Sequence, residues 1–463
     1  MLMAVGARNQ PVALPLRVLL VAIVAAYTTI GVLYAALTPT WQVPDEPAHY
    51  NYVRALAEGR GLPVLEPGDY DQAYLERLKS ERFPPELSIE PVEYEDHQPP
   101  LYYLLATPVY LLFGGAVLPL RLISVALGTL LLVVACGTVR AIFPTRPELA
   151  LVTTAFVAFI PQHVAMTAGV NNDALAELVV GGTLWALVVY AGERNDHPWP
   201  VGLLLAVALL TKTTAYIVVV VATVAVLIRR RRERRTWGWA TGQLAWMLVP
   251  ALLVSAPWFI RNGLVYGWND PLGLARHNEV VEGQLRTSEY LALYGRAAYW
   301  ERAWRFTFQS FWGQFGWLGV VLPARIYKGL ALLSTLLFAG FIAWLLQHRR
   351  PSQSTNLPIY QSTNFPISQS PNLPIPSLLL FALSATLTFF SFAWLNLTFV
   401  QHQGRYLFPA LIPIGMAAAL GLDTLVGILP QRLRPWAMVA LFAGLAMLDV
   451  YCLFKFIIPL LAR

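Results

Sequence analysis

Leu16-Arg-Val-Leu-Leu-Val-Ala-Ile-Val-Ala-Ala-Tyr-Thr-Thr-Ile-Gly-Val-Leu-Tyr-Ala-Ala-Leu37 holds a single charge in 22 residues. A helix needs about 20 apolar residues to cross the hydrocarbon of a bilayer, where backbone groups must find their partners within the segment. The run meets that length and lacks a small-residue cleavage site, so it reads as a lasting span rather than a signal peptide. Similar runs recur along the 463-residue chain, which is 57% hydrophobic and 13% charged. A soluble domain carries about 25% charged residues. The fold class is therefore an all-α polytopic integral membrane protein.

The net charge of +7 does not indicate nucleic acid, because the basic residues cluster briefly between apolar runs. Such clusters mark cytoplasmic loops. Arg229–Arg235, with six arginines in seven residues, is the strongest anchor of this kind. Alternating the apolar runs around it gives about eleven spans, ten to twelve depending on how Trp199–Ile228 divides. The N-terminus is then cytoplasmic and the C-terminus extracytoplasmic. Leu101–Phe113 is too short to cross and is read as a re-entrant or interfacial helix. Cys136 and Cys452 fall inside apolar runs and offer neither a disulfide framework nor a metal site.

Three regions follow from this layout: a transmembrane module over 1–350, a linker over 351–376 and C-terminal helices over 377–463. The linker carries Gln353-Ser-Thr-Asn-Leu-Pro-Ile and two variants of it, beginning at Gln361 and Gln369, and is too polar to bury a core, so it is expected to be disordered. The first extracytoplasmic loop, 38–118, is large. Its stretch Thr38–Pro100 carries 13 acids against five Lys or Arg. Asn51–Arg60 and Ala73–Arg82 have helical apolar spacing and are expected to lie along the bilayer surface. The second outer loop is 259–328.

Trp41-Gln-Val-Pro-Asp-Glu-Pro-Ala-His-Tyr50 emerges directly after the first span. The flanking prolines argue against a regular helix at Asp45 and Glu46. These acids read as a general base with a neighbouring acid, as a divalent-metal pair, or as a solvated turn. His49 follows closely. His97-Gln-Pro-Pro-Leu-Tyr-Tyr103 sets a histidine beside Tyr102 and Tyr103, residues that suit either a phosphate site or the aromatic belt. Asp173 begins a span and suits a helix cap. Lys212 sits between two short apolar runs and needs an anionic partner or water. Arg405, in Gln403-Gly-Arg-Tyr406, opens a span on the outer side against the positive-inside bias and suits phosphate. Gly-rich phosphate loops, paired metal-binding histidines and serine elbows are absent from the sequence.

Together these residues resemble the polytopic GT-C glycosyltransferases, which include protein mannosyltransferases, aminoarabinose transferases and oligosaccharyltransferases. The resemblance rests on Asp45-Glu46, His97-Gln-Pro-Pro-Leu-Tyr-Tyr103, Asn172-Asp173 and Thr211-Lys212-Thr. Pro44-Asp-Glu-Pro-Ala-His49, Ser310-Phe-Trp-Gly-Gln-Phe-Gly-Trp317 and Gln403-Gly-Arg-Tyr406 are closer to an uncharacterised bacterial multi-pass family near that superfamily. What the resemblance implies is an enzyme of the bacterial cytoplasmic membrane. It would move a sugar, with inversion, from a polyprenyl-phosphate donor to a glycan, lipid or protein acceptor on the extracytoplasmic face. Asp45 would be base or acceptor-orienting group, assisted by Glu46. His97, Lys212 and Arg405 would face the lipid phosphate. His49, Asp173, Tyr102, Tyr103, Gln403 and Tyr406 would support the substrate, and Asp45, Glu46 and Asp173 would hold any Mg or Mn ion. With no large soluble domain after the last span, acceptor recognition falls to Arg261–Lys328. A lipid-linked saccharide flippase, or a non-catalytic protein of envelope glycan assembly, is the alternative. Spans nearly free of charge argue against the transporter.

Overall fold

The computed structural model describes residues 16–192, 197–349 and 374–462. The linker with its repeats lies outside these residues, apart from its last three positions. In chain order the helices are α1 (Leu16–Leu37), α2 (Glu46–Ala57), α3 (Gln72–Ser80), α4 (Leu101–Leu112), α5 (Val117–Ile142) and α6 (Pro147–Ala158). Then come α7 (Pro161–Thr167), α8 (Asp173–Ala191), α9 (Trp199–Leu209), α10 (Ile217–Arg232), α11 (Trp237–Val265) and α12 (Leu274–Val280). The chain continues through α13 (Thr287–Trp312), α14 (Ala324–Arg349), α15 (Ile375–Thr398), α16 (Leu411–Val426), α17 (Arg434–Cys452) and α18 (Ile458–Leu461). Two-residue strands β1 (Gln314–Phe315) and β2 (Val320–Val321) pair antiparallel.

Among the described residues nine helices are long and apolar enough to cross a membrane, ten if α6 and α7 form one bent span. Adding the short apolar α9 gives the eleven segments the sequence leads one to expect. The 68° bend between α6 and α7 falls at Ile160-Pro161, where the residue before proline is extended and the proline has no N–H to continue the helix. Helix α4 has 12 residues, in line with its reading as a non-spanning segment. Its first N–H donates to the Leu210 carbonyl at 2.9 Å, which ties it to the end of α9.

Small residues let the spans touch. A Cβ on Gly421 would lie 2.1 Å from the Leu337 carbonyl, and one on Gly340 would lie 2.3 Å from the Gly421 carbonyl. Helices α14 and α16 therefore meet backbone to backbone, as small residues permit in lipid. The bundle has a loop end, where α1, α7, α9, α11 and α15 finish, and an arginine end, where α10 finishes in Arg229–Arg232.

The first loop packs inward. Helix α2 buries Glu46, Ala48, His49, Asn51, Tyr52, Val53 and Ala55 and rests on α4, so it is not the surface helix expected from its apolar spacing. It also begins at Glu46, because Pro47 occupies the first turn, where a missing N–H costs nothing. Asp45 caps it at φ 67°, in the left-handed region that Asp tolerates better than most residues. The β1–β2 turn closes over this loop: Trp317 Nε1 donates to the Trp41 carbonyl at 2.9 Å.

Candidate active site

A cavity of about 720 Å³ opens at the loop end, and Asp45, Glu95, His97, Asp173, Lys212 and Arg405 all line it. Five of these were singled out in the sequence, although they lie on segments up to 360 residues apart. Asp45 accepts from the Tyr94 hydroxyl at 2.6 Å through Oδ1 and from Arg405 Nη2 at 2.5 Å through Oδ2. Burial alone would raise the Asp45 carboxyl. The Arg405 guanidinium and the Tyr94 hydroxyl outweigh it and hold the group at about 2.

Arg405 is placed by backbone as well as by charge. Gly404 lies so close to α13 that a Cβ would come 2.3 Å from the Thr307 carbonyl, and its N–H donates to Ser310 Oγ at 2.7 Å. Gln403 Oε1 then accepts from Arg405 Nε at 2.8 Å. The Tyr406 ring lies beneath the same guanidinium, 5.1 Å from ring centre to Cζ. Gln403 and Tyr406 also line the cavity.

Asp173 opens α8 but does not cap it. Asn171 Oδ1 accepts from the N–H groups of Asp173 and Ala174, which frees the Asp173 carboxylate to accept from Lys212 Nζ at 2.6 Å. Lys212 thus has the anionic partner its position required, and Asp173 holds its ammonium above the usual lysine range despite burial. Two acids, each held by one cation, face the same space.

Other residues stand elsewhere. Glu46 is fully buried and turns away from the cavity to Arg121 on α5, at 2.6 Å. Tyr102 and Tyr103 are not interfacial: both are buried, Tyr102 on Ser124 at 3.0 Å and Tyr103 stacked on Tyr52 at 3.7 Å. His49 Nδ1 lies 2.9 Å from the Tyr103 hydroxyl. His97 lines the cavity with its ring 4.7 Å from that of His277. Burial brings its imidazole down to about 4, so at neutral pH it offers a hydrogen bond rather than a charge. Among the described residues no group of three or more His, Cys, Asp or Glu converges to hold a metal ion. Asp45, Glu46 and Asp173 do not form the ligand set expected of them, because each faces its own cation.

Sequence reasoning passed over Tyr94, Glu95 and Arg302 on the cavity wall. The signal for Glu95 was the acidic run Glu93-Tyr-Glu-Asp96 directly before His97. Its Oε2 is buried without a hydrogen-bond partner, and burial raises the carboxyl against the pull of His49 and Lys212.

Beside it Asp96 is 4% exposed and its Oδ1 has no partner. Burial, then the charges of Glu93 and Asp69, push this carboxyl up to about 9. Unfolded, it titrates near 4, so between these values the folded chain holds a proton that the unfolded chain has lost. Stability must then fall as pH rises across that window. Asp96→Asn, isosteric with the protonated acid, is expected to flatten the fall of Tm from pH 5 to 8.5. An unchanged slope would show that Asp96 ionises freely in the fold.

Over 96% of this chain, the backbone matches ArnT from Cupriavidus metallidurans in the apo state, with a TM-score of 0.52 and 15% identity, and covers 73% of that chain. The fold is that of the GT-C membrane glycosyltransferases. Residues 97–259 match the family described as Dolichyl-phosphate-mannose-protein mannosyltransferase. That segment runs from His97 through Asp173 and Lys212 into α11. ArnT bound to undecaprenyl phosphate gives a TM-score of 0.49 at 16% identity, covering 96% of this chain and 74% of that one. The Archaeoglobus fulgidus oligosaccharyltransferase gives 0.44 at 12%, covering 95% and 52%. No curated protein matches the sequence.

Proposed function

We propose that this protein transfers a sugar from a polyprenyl-phosphate-linked donor to a hydroxyl of a glycan, lipid or protein acceptor. The observation that carries the reading is the pair of cation-held acids, Asp45–Arg405 and Asp173–Lys212, on one cavity whose wall includes Phe392 and Trp394 of the lipid-exposed span α15. Such a wall lets a lipid-borne donor reach the acids from the bilayer. The match over 97–259 to a family named for a dolichyl-phosphate sugar supports the same donor class.

In the reaction the acceptor oxygen attacks the anomeric carbon while the bond from that carbon to the phosphate oxygen breaks. The electron pair leaves on the lipid phosphate, and a single displacement inverts the centre. Asp45 orients the acceptor hydroxyl or takes its proton. Lys212 and Arg405 lower the energy of the charge that develops on the leaving group, and His97 adds a hydrogen bond. The positive-inside bias of Arg229–Arg235 supports a reading in which the cavity faces the extracytoplasmic side of a bacterial cytoplasmic membrane.

Membranes containing the protein, given a panel of radiolabelled polyprenyl-phosphate sugars, are expected to consume at least one donor and pass label into a lipid, glycan or protein fraction. If none is consumed while labelled lipid crosses vesicle bilayers faster than in control membranes, the protein is a carrier and the transferase reading fails.

A further inference from the structure

Four cations of lysine or arginine line the cavity. Lys79 pairs with Glu76 at 2.5 Å, Lys212 with Asp173 at 2.6 Å and Arg405 with Asp45 at 2.5 Å. Arg302 differs. Among the described residues it meets no carboxylate, and its Nε is buried without a hydrogen-bond partner. Its guanidinium instead lies over the Phe306 ring at 4.0 Å.

A second unmet group stands beside it. His402 is 3% exposed, and neither ring nitrogen has a partner. Its ring meets the edge of Tyr299 at 4.8 Å, and Tyr299 shares a face of α13 with Arg302, three residues on. Gln401 and Gln403, the neighbours of His402 in the chain, both line the cavity. Burial lowers the Arg302 guanidinium below the usual arginine range. It also lowers the imidazole to about 4, with the charge of Arg302 adding to the effect. A half-buried guanidinium whose Nε has no partner, beside a buried imidazole with neither nitrogen met, is costly unless an anion meets them.

The position says which anion. On α13 Arg302 is flanked in sequence by Trp300 and Trp304, which are 60% and 76% exposed, and the cavity it lines is also lined by Trp394 of α15, 74% exposed. Exposed tryptophans of this kind suit the bilayer interface, and α15 is itself a candidate span. An anion that arrives with a long hydrocarbon chain reaches Arg302 from the bilayer side without drawing the chain through the polar part of the cavity.

We propose that Arg302, with His402 beside it, seats the phosphate of the polyprenyl carrier. This rests on the transferase reading and divides the donor. Lys212 and Arg405, held by their acids, stay at the bond that breaks and meet the leaving oxygen, while Arg302 donates to the phosphate oxygens turned away from the sugar and His402 adds one N–H.

The test is binding of undecaprenyl phosphate to the purified full-length protein in nanodiscs, with undecaprenol and inorganic phosphate as comparison ligands. Wild type is expected to prefer the phosphate lipid over the alcohol. Arg302→Gln should weaken that binding by about tenfold or more, the worth of a charge-assisted hydrogen bond. Binding of undecaprenol should not change. His402→Gln should weaken phosphate-lipid binding less. Arg305→Gln, one turn away on a cation paired with Glu301, should leave it unaltered. Full binding by a folded Arg302→Gln protein would move the phosphate to other residues and leave the transferase reading standing. Equal binding of phosphate lipid and alcohol by wild type would sink that reading itself. Displacement of the lipid by inorganic phosphate at matched concentration would overturn the lipid-specific seat.

Discussion

Asp45→Asn is expected to lower sugar transfer by about 10²- to 10⁴-fold, the range that general acid–base groups contribute, while the protein stays folded. The reasoning starts from the backbone. Asp45 sits at φ 67°, where most side chains are strained but Asn is tolerated about as well as Asp, so the replacement keeps the cap of α2. The amide oxygen can still accept from Arg405, and the amide N–H can donate to the Tyr94 hydroxyl oxygen, which then accepts. What it loses is the charge that holds the guanidinium against a carboxylate 20% exposed on the cavity. The effect should fall on kcat, with donor binding nearly unchanged if the phosphate is held elsewhere. Because the carboxyl stays ionised down to about pH 2, its contribution should be constant through the neutral range. Its stabilising ion pair is present above the unfolded value near 4 and is lost as pH falls through 2. Donor turnover in Asp45→Asn equal to wild type, at matched expression, would remove this acid from the reaction.

The spans were legible because a membrane imposes one strong requirement, a long apolar helix, and eleven apolar runs meet it or nearly so. The arginine end was legible for the same reason. Lys212 and Arg405 were found because charge at the edge of a span is expensive and needs a partner, but the sequence did not identify those partners. Pairing Arg405 with Asp45 joins positions 360 residues apart, and no spacing rule reaches that far. Local rules misled where tertiary packing overrode them. The apolar spacing of α2 describes a helix with one greasy face, which fits a bilayer surface and a protein interior equally well. Tyr102 and Tyr103 fit an aromatic belt by composition, yet the fold stacks them inside. Asp173 was read as a cap because it opens a helix, when Asn171, two residues earlier, already does that work. Arg302 gave no signal at all, since an arginine in a polar loop is ordinary until its surroundings are known.

The two adjacent acids at the head of α2 should also part company under mutation. Glu46→Ala is expected to destabilise the protein by about 3–5 kcal/mol, the cost of breaking a buried ion pair on one side. Arg121 Nε and Nη2 meet Glu46 Oε1 and Oε2 at 2.7 and 2.6 Å, a bidentate fork in which neither side chain is more than 3% exposed. The remaining capacity of both groups is used. Arg121 also donates to the carbonyls of Ala35, Thr38 and Pro39, and Glu46 accepts from the N–H groups of Trp41 and Val170. The pair thus ties the end of α1, the start of α2, the side of α5 and the turn before α8 into one knot beneath the cavity. Removing Glu46 leaves a guanidinium buried among carbonyls, and Arg121→Met leaves a buried carboxylate with only two N–H donors. Each single variant should show a large loss of Tm and poor accumulation in membranes. The double variant should recover part of the loss, though not all, because three carbonyls and two N–H groups then lack partners. A Glu46→Ala protein that melts like wild type yet has lost turnover would return Glu46 to the chemistry.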